Sequence, residues 1–406
     1  MHKLISLIIL LTIFLSGCKT STEPVPPEQK PPGYQEDVPW PSLADSPWPT
    51  YHGDFRNTGR SSLSGPTQGI VDWEASNFFI ESGAVVGPDS TIYFCSEYPA
   101  KLNAFSPQGN LKWDLSFQTS QIITSPVISA DTTIYLCTQF PGNLYAISKD
   151  GLLKWKYETG NQIAVANIGI DLQNNLYVID TKQILHVVSS SGKLLWKLQS
   201  PLFRTGGYPL TFSPDGQKLY ILCANPAIIS VNTATHQIEN TFDNYQSGHK
   251  LLLDAQGNLY LFADSYKDEI DAPSLFSIKP DGALRWYFQH GSRDINIESG
   301  DPTMDKNGNV YFGWDTLYSV DYSGKLKWKL KIDGVNYSPI LSDDNNNVYV
   351  TVSNGGVMLL ALKSNGEIQF NAVIDNSEQA GFSGAIGFNN SLYLPTFKTT
   401  KLFSIK

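Results

Sequence analysis

The chain has 406 residues, 41% of them hydrophobic and 12% aromatic, enough to build a large core. Charged residues make up only 17%, and the formal net charge is −9. An acidic surface poor in Lys and Arg has no electrostatic hold on phosphate backbones, which excludes nucleic acid as a partner.

At the N-terminus, His2 and Lys3 precede an apolar run from Leu4 to Leu15, followed by "LSGC" ending at Cys18. The run is short for a bilayer span, and its flanks are those of a secretory signal. "LSGC" resembles a bacterial lipobox, in which the signal is cut before the Cys and the thiol is acylated. Residues 1–17 are therefore predicted as a lipoprotein signal peptide, with Cys18 lipidated. The alternative is an ordinary signal that happens to end in Cys. Acyl chains on Cys18 would anchor the protein to a membrane without a spanning helix. Lys19 is not the Asp that retains lipoproteins at the inner membrane of some Gram-negative bacteria, which favours the outer membrane. Residues 18–47 are dense in Pro and lack apolar periodicity, so they read as an extended tether. The globular body is placed at 48–406.

Three signals then recur in fixed order. The first is a turn-rich patch, an apolar residue and Tyr, at Tyr93, Tyr135, Tyr177, Tyr220, Tyr260, Tyr311, Tyr349 and Tyr393. The second is an apolar–x–small–apolar run, such as "LNAF", "LYAI" and "LFSI". The third is Gly-x-apolar-x-aromatic, closing on Trp113, Trp155, Trp196, Trp286, Trp328 and Phe370, with a worn copy, "HQIEN", ending at Asn240. Each run is short, rich in β-branched and aromatic residues and bounded by Gly, Asn, Asp or Pro, which predicts strands joined by tight turns. One more apolar stretch precedes each Tyr patch, giving four strands per unit. Four-stranded units of about 42 residues predict an all-β, eight-bladed propeller of antiparallel blades.

The third signal is missing after "LFSIK", where the sequence stops, yet "GIVDW" (69–73) stands alone before the first Tyr patch. The strand at 69–75 is therefore predicted to complete the C-terminal blade and close the ring, removing edges that would invite aggregation. Gly supplies the positive φ of the hairpin turn. Trp73 and its counterparts are expected to fill the wedges between blades, a structural task.

Residues 69–406 resemble the quinoprotein-like (PQQ-like) eight-bladed propeller family, whose repeats carry a phrase like Ala-x-Asp-x-x-Thr-Gly-x-x-x-Trp. Most copies here are one residue shorter, as in "AISKDGLLKW" (146–155); only "SVNTATHQIEN" keeps the longer form, with His236 in place of Gly and Asn240 in place of Trp. "WPTYHGDFRNTGRS" (48–61) looks like the N-terminal lead-in common in the family. With the lipobox, the chain is similar to the lipid-anchored members, among them the propeller lipoprotein of the outer-membrane β-barrel assembly machinery.

The resemblance also implies an alternative. Enzymatic members are quinone-dependent alcohol and sugar dehydrogenases, and those of the alcohol type hold PQQ beneath a ring of two adjacent cysteines, with Ca²⁺ bound by acidic and amide side chains. This sequence has Cys18, Cys95, Cys137 and Cys223 and no adjacent pair. The last three follow strand tyrosines at similar places and read as small core residues; a Cys95–Cys137 bridge between neighbouring blades is the other reading. The six histidines are scattered, with no paired His or Cys-x-x-Cys pattern. "DKNGN" (305–309) and "SDDNNN" (342–347) faintly resemble Ca²⁺ loops but fall at the first turn of a blade, where turn chemistry accounts for them. No Gly-x-Ser-x-Gly or phosphate-binding loop occurs. No catalytic, cofactor or metal residue is assigned. Trp314 lies off the repeat and either floors a cofactor or sugar site or packs a loop.

In an up-and-down blade the first and third connections share one face of the disc. The second connection and the blade-to-blade crossing share the other. The first and third are short turns, whereas the other face carries long irregular segments such as 200–208, 263–273 and 290–301. From Tyr260 to Tyr311 is 51 residues, the largest spacing. Recognition is placed on that loop face, with Arg204, Tyr208, Tyr266, Arg293 and Asp294 as candidate partner contacts, since Tyr and Arg dominate binding hot spots. The expectation is a non-enzymatic, monomeric propeller binding an envelope protein or extended polymer; the alternatives are a PQQ-dependent dehydrogenase and a carbohydrate-binding propeller.

Overall fold

The computed structural model describes residues 30–406, apart from 81, 98, 119–120, 123, 165–166, 205–208, 268, 291–299, 378, 380, 382 and 397–400. Within it, eight four-stranded antiparallel sheets follow one another as blades. Blades 1 to 7 span 85–116, 127–158, 169–199, 211–241, 245–289, 303–331 and 341–375. Blade 8 takes three strands from 385–405 and its outermost from Val71–Ala75. That strand pairs antiparallel with Leu402–Ile405, matching Val71 to Ile405 and Ala75 to Leu402. Backbone bonds in both directions between Ile70 and Lys406, at 2.9 and 2.8 Å, extend the seam. The ring closes as the sequence predicts.

The repeat becomes intelligible at the junctions between blades. Each strand Tyr is buried. In six blades it meets the Trp of the same blade at about 6 Å between centroids, as for Tyr135 and Trp155 at 5.8 Å. The Trp then reaches the following blade. Trp73 Nε1 donates to the Pro107 carbonyl at 2.9 Å. Trp113 reaches Lys149 at 3.0 Å, Trp155 reaches Ser190 at 2.9 Å, Trp286 reaches Tyr322 at 3.0 Å and Trp328 reaches Ser364 at 3.0 Å. The turn that offers this carbonyl lays its Gly flat on the indole. A Cβ on Gly151 would stand 2.9 Å from the Trp113 ring, and the φ of +82° also favours Gly there. Beside each Trp the outer pairing shifts register, as between Ala146 and Ile147, and the bulge re-aims the side chain.

Blade 4 departs from the pattern and compensates. His236 replaces the Gly, holds φ +62° and stacks on Trp196 at 4.3 Å and 16°. Asn240 replaces the Trp, and Phe242 packs beneath Gly282 of blade 5 and against Tyr220 instead.

The first turns explain the Asp and Asn. Asp305 accepts from the amides of Asn307 and Asn309, from Asn309 Nδ2 and from Tyr311 OH, at 2.7–2.9 Å. Asp171, Asp254 and Asp343 do the same in their blades. These carboxylates are spent on turn geometry, and no cluster of three or more metal-ligating side chains occurs among the described residues. Cys95, Cys137 and Cys223 are buried and free, not bridged; burial pushes their thiols up, that of Cys223 to about 12.

Replacing Trp155 with Ala removes the ring that fills the wedge and its bond to Ser190. It should cost about 3 kcal/mol, read as a lower denaturation midpoint at unchanged m-value. Gly151→Ala should destabilise as well, by about 1 kcal/mol or more, because both φ and the Trp113 ring oppose a side chain.

Candidate functional site

The segment before the first blade is not peripheral. Residues 48–59 run in an arc around the axis and offer their carbonyls in turn to the last residue of successive inner strands. Trp48 O accepts from Val86 N at 2.8 Å, Pro49 O from Ile128 N at 2.9 Å and Phe55 O from Phe212 N at 2.9 Å. Arg56 O then accepts from Leu253 N at 2.9 Å, Thr58 O from Met304 N at 2.8 Å and Gly59 O from Ser342 N at 2.8 Å. Blade 3 is reached by Trp40, whose Nε1 donates to Ile170 O at 2.9 Å. Residues 33–47, read from composition as part of the tether, also lie against the disc, with Gln35 buried and Ala44 N bonded to Ile128 O at 2.9 Å. Because inner strands end at the first connections, the lead-in covers the short-turn mouth of the axis.

Beneath this cover lies a buried polar cluster. Tyr51 OH donates to Asp301 at 2.5 Å, and Lys250 Nζ pairs with the same carboxylate at 2.6 Å. Burial opposes ionisation of Asp301, yet Lys250, His52 and the hydrogen bonds outweigh it and hold the carboxyl below the usual range. Burial, then Asp301, drives Tyr51 well above an ordinary phenol. His52, between Asn57 O at 2.9 Å and Ile340 O at 3.2 Å, is pulled down by burial. The cluster ties the lead-in to blades 5 and 6.

The loop face is uneven. Blade 5 dominates it: its strands Tyr245–Leu253, Leu259–Tyr266 and Ile270–Ile278 have nine, eight and nine residues, against two, five and five in blade 1. The stretch 263–273, expected as an irregular loop, is largely a projecting hairpin, paired through Ser265–Asp271 and Tyr266–Ile270. Phe262, Tyr266 and Ile270 give it the β-propensity that the spacing alone conceals.

Of the candidate contacts, Tyr208, Arg293 and Asp294 lie outside the described residues, as does Cys18. Arg204 is half-buried and donates to Gly248 O at 2.9 Å, tying the blade 4 crossing to blade 5. Tyr266 is only 8% exposed and packs on Tyr245 at 5.0 Å and on Phe276, so its ring belongs to the hairpin core. Trp314 meets Tyr337 edge-on at 6.4 Å on the loop face, with its Nε1 buried and without a hydrogen-bond partner among the described residues. Sequence reasoning did not single out Tyr51, Lys250 or Asp301; the density of aromatic and polar side chains in 48–61 was the available signal.

A family model described as outer membrane protein assembly factor BamB matches residues 59–270, more than half of the chain. The chain belongs to this family. Among solved structures, BamB from Moraxella catarrhalis aligns with a TM-score of 0.60 at 13% identity, covering 82% of this chain and 97% of that one. The quinohemoprotein alcohol dehydrogenase ADHIIG from Pseudomonas putida HK5 aligns at 0.69 with 11% identity, covering 91% and 83%. That of Comamonas testosteroni aligns at 0.62 with 11% identity, covering 88% and 80%. At such identities these likenesses speak for the propeller alone. No curated protein matches the sequence.

The quinone cofactor and Ca²⁺ of the dehydrogenase reading would need a ring of two adjacent cysteines and an acidic cation site. Asp301, the buried carboxylate of the polar cluster, already satisfies Tyr51 and Lys250. Cys95 and Cys137 come from two different strands in neighbouring blades and are not an adjacent pair in the chain. The described residues do not supply the adjacent-Cys ring or the acidic cation site, and no chemistry is derived through either group.

Asp301→Asn leaves Lys250 unpaired in a largely buried place and should cost about 2–3 kcal/mol at neutral pH. Asp301 titrates lower folded than unfolded, so its contribution is present above the unfolded value near 3.8 and is lost as pH falls through the lower folded one. Denaturation from pH 7 down to about 3 should show a steeper acid loss for the native protein than for D301N.

Proposed function

We propose that this protein is a non-enzymatic propeller of the bacterial cell envelope, lipid-anchored through Cys18 and held by the residues that follow, and that it serves as a scaffold in outer-membrane protein assembly. The observation that carries this reading is the asymmetry of the disc. One axial mouth is sealed by the chain's own lead-in, which leaves the loop face, with its projecting blade 5 hairpin, as the surface for a partner. The family match over 59–270 supports an assembly role over a catalytic one. So does the Asp301 cluster, whose groups satisfy one another rather than a ligand.

A rigid hairpin suits recognition because little entropy is lost on docking. Lys267 and Glu269 are exposed at its tip, next to the turn after Tyr266. Arg204, through Gly248, fixes the base of the hairpin rather than meeting the partner.

Exchanging the tip charges (Lys267→Glu with Glu269→Lys) should weaken capture of the envelope partner about tenfold without changing the melting temperature. Retained capture would remove the hairpin from the interface. Cys18→Ser should move the protein from the membrane to the soluble fraction. Quinone absorbance after incubation with PQQ and Ca²⁺, with dye-linked alcohol oxidation, would overturn the non-enzymatic reading.

A further inference from the structure

We propose that the loop face carries a carbohydrate subsite between blades 2 and 3, shaped for one pyranose ring of a neutral or N-acetylated glycan and built around Phe140. Phe140 lies in the second connection of blade 2 and is 60% exposed, an unusual position for so large an apolar ring. It borders a cleft of 310 Å³ walled by its own turn and by the crossing into blade 3. The remaining walls are polar: Asn161 and Gln162 bring amides, and Glu158 and Lys156 an exposed ion pair at 2.5 Å, whose second carboxylate oxygen can accept from a hydroxyl.

This combination matches the chemistry of a sugar. A pyranose has one face of C–H groups, which lies on an aromatic ring, and a rim of hydroxyls that both donate and accept. Amides and a carboxylate serve such a rim, and the cleft is at the small end of ligand sites. A bound peptide would instead need open backbone groups along a strand or turn. Here the facing carbonyls are already taken. Gly142 O accepts from both the amide and the hydroxyl of Thr159, at 3.0 and 2.8 Å, and Asn161 O accepts from that hydroxyl at 2.6 Å.

The polar wall is held in place from behind. Asn161 Nδ2 donates to Asp180 at 2.8 Å, which leaves its amide oxygen without a partner among the described residues. Asp180 is fully buried and is pinned by the amides of Lys182 and Ile184. Its other partner is His186, 3.0 Å away, and the second ring nitrogen of His186 meets Tyr157 OH at 3.0 Å. A Cβ on Gly142 would run into the Asn161 carbonyl, so the two walls touch at the back of the cleft. Such pre-ordering lowers the entropic cost of binding a flexible glycan.

The site is separate from the blade 5 hairpin, so the two readings fail independently. The test is ligand-observed NMR and calorimetry on the full mature protein, with maltotriose, cellotriose and tri-N-acetylchitotriose as probes. At least one probe should bind saturably. Phe140→Ala should weaken it about tenfold and Glu158→Gln measurably, both at unchanged melting temperature, whereas Phe140→Trp should retain binding. Absence of saturable binding of all three at about 10 mM, a weak limit, would overturn the proposal. So would binding indifferent to Phe140→Ala, or protection of Phe140 by a protein partner rather than by a sugar.

Discussion

A ring of wedges is stable only if every wedge has two neighbours, and the pairing of Val71–Ala75 with Leu402–Ile405 meets that condition. Without it blade 8 would lack its outermost strand and blade 1 would lose the Trp73 ring that covers its third turn. Four other junctions repeat the same device at smaller scale: an indole from one blade, a flat Gly and a carbonyl from the next. At the remaining three, Trp196 stacks on His236, and Phe242 and Phe370 pack on Gly282 and Gly69. The device is asymmetric, since each blade gives an aromatic ring forward and receives one from behind. It therefore propagates around the disc in one direction, and the closing strand is where the first blade receives its share. The thermodynamic consequence is cooperative: near-neighbour contacts sum around the ring, and an opened ring loses a whole junction rather than a single contact.

The lead-in adds a second constraint that crosses the ring instead of following it. One segment of about a dozen residues bonds to the inner strands of six blades, in chain order, so blades far apart in sequence share a common strut. Its bonds are made by backbone carbonyls, while Trp48, His52 and Phe55 fill the space beneath. The trio of Tyr51, Lys250 and Asp301 then fixes the arc in rotation, because an ion pair with a hydrogen-bonded phenol tolerates little displacement. Covering one mouth in this way makes the two faces of the disc unequal.

The blade count, the strand order and the closure were legible in the amino-acid sequence because they rest on local chemistry. Gly at positive φ, Asp and Asn in the first turn, and Tyr and Trp at fixed offsets all leave a mark wherever they recur. The site was far less legible. The lead-in works through carbonyls, which every residue carries, so 48–61 reads as an aromatic-rich oddity rather than a strut. Tyr51 and Asp301 are separated by 250 positions, and nothing local announces their contact. The extra length in blade 5 was visible, but length does not distinguish a loop from a longer hairpin, and Tyr266, chosen as an exposed contact, turned out to be packed between Tyr245 and Phe276. Phe140 reads as one more turn residue until its exposure and the cleft beside it are seen.

The phrase Leu-Lys-Trp, at 111–113, 153–155 and 326–328, solves two problems through strand periodicity. Alternate side chains on a strand face opposite ways. In the outer strand Leu153–Glu158 the Trp155 and Tyr157 rings face the neighbouring blade, while Lys154, Lys156 and Glu158 face solvent. An outer strand has one unpaired edge, the natural place for unwanted pairing, and charges there discourage it. Lys112 and Asp114 do the same in blade 1, as do Lys327, Lys329 and Lys331 in blade 6. A slip of one residue would turn every Trp outward and bury every Lys, so the alternation also pins the register. The motif thus holds each blade to the next on its inner side and keeps other chains away on its outer side. Blade 7 shows what the charges prevent elsewhere: its outer strand Ile368–Asp375 has no Lys and leaves Ile368 and Val373 exposed on the rim.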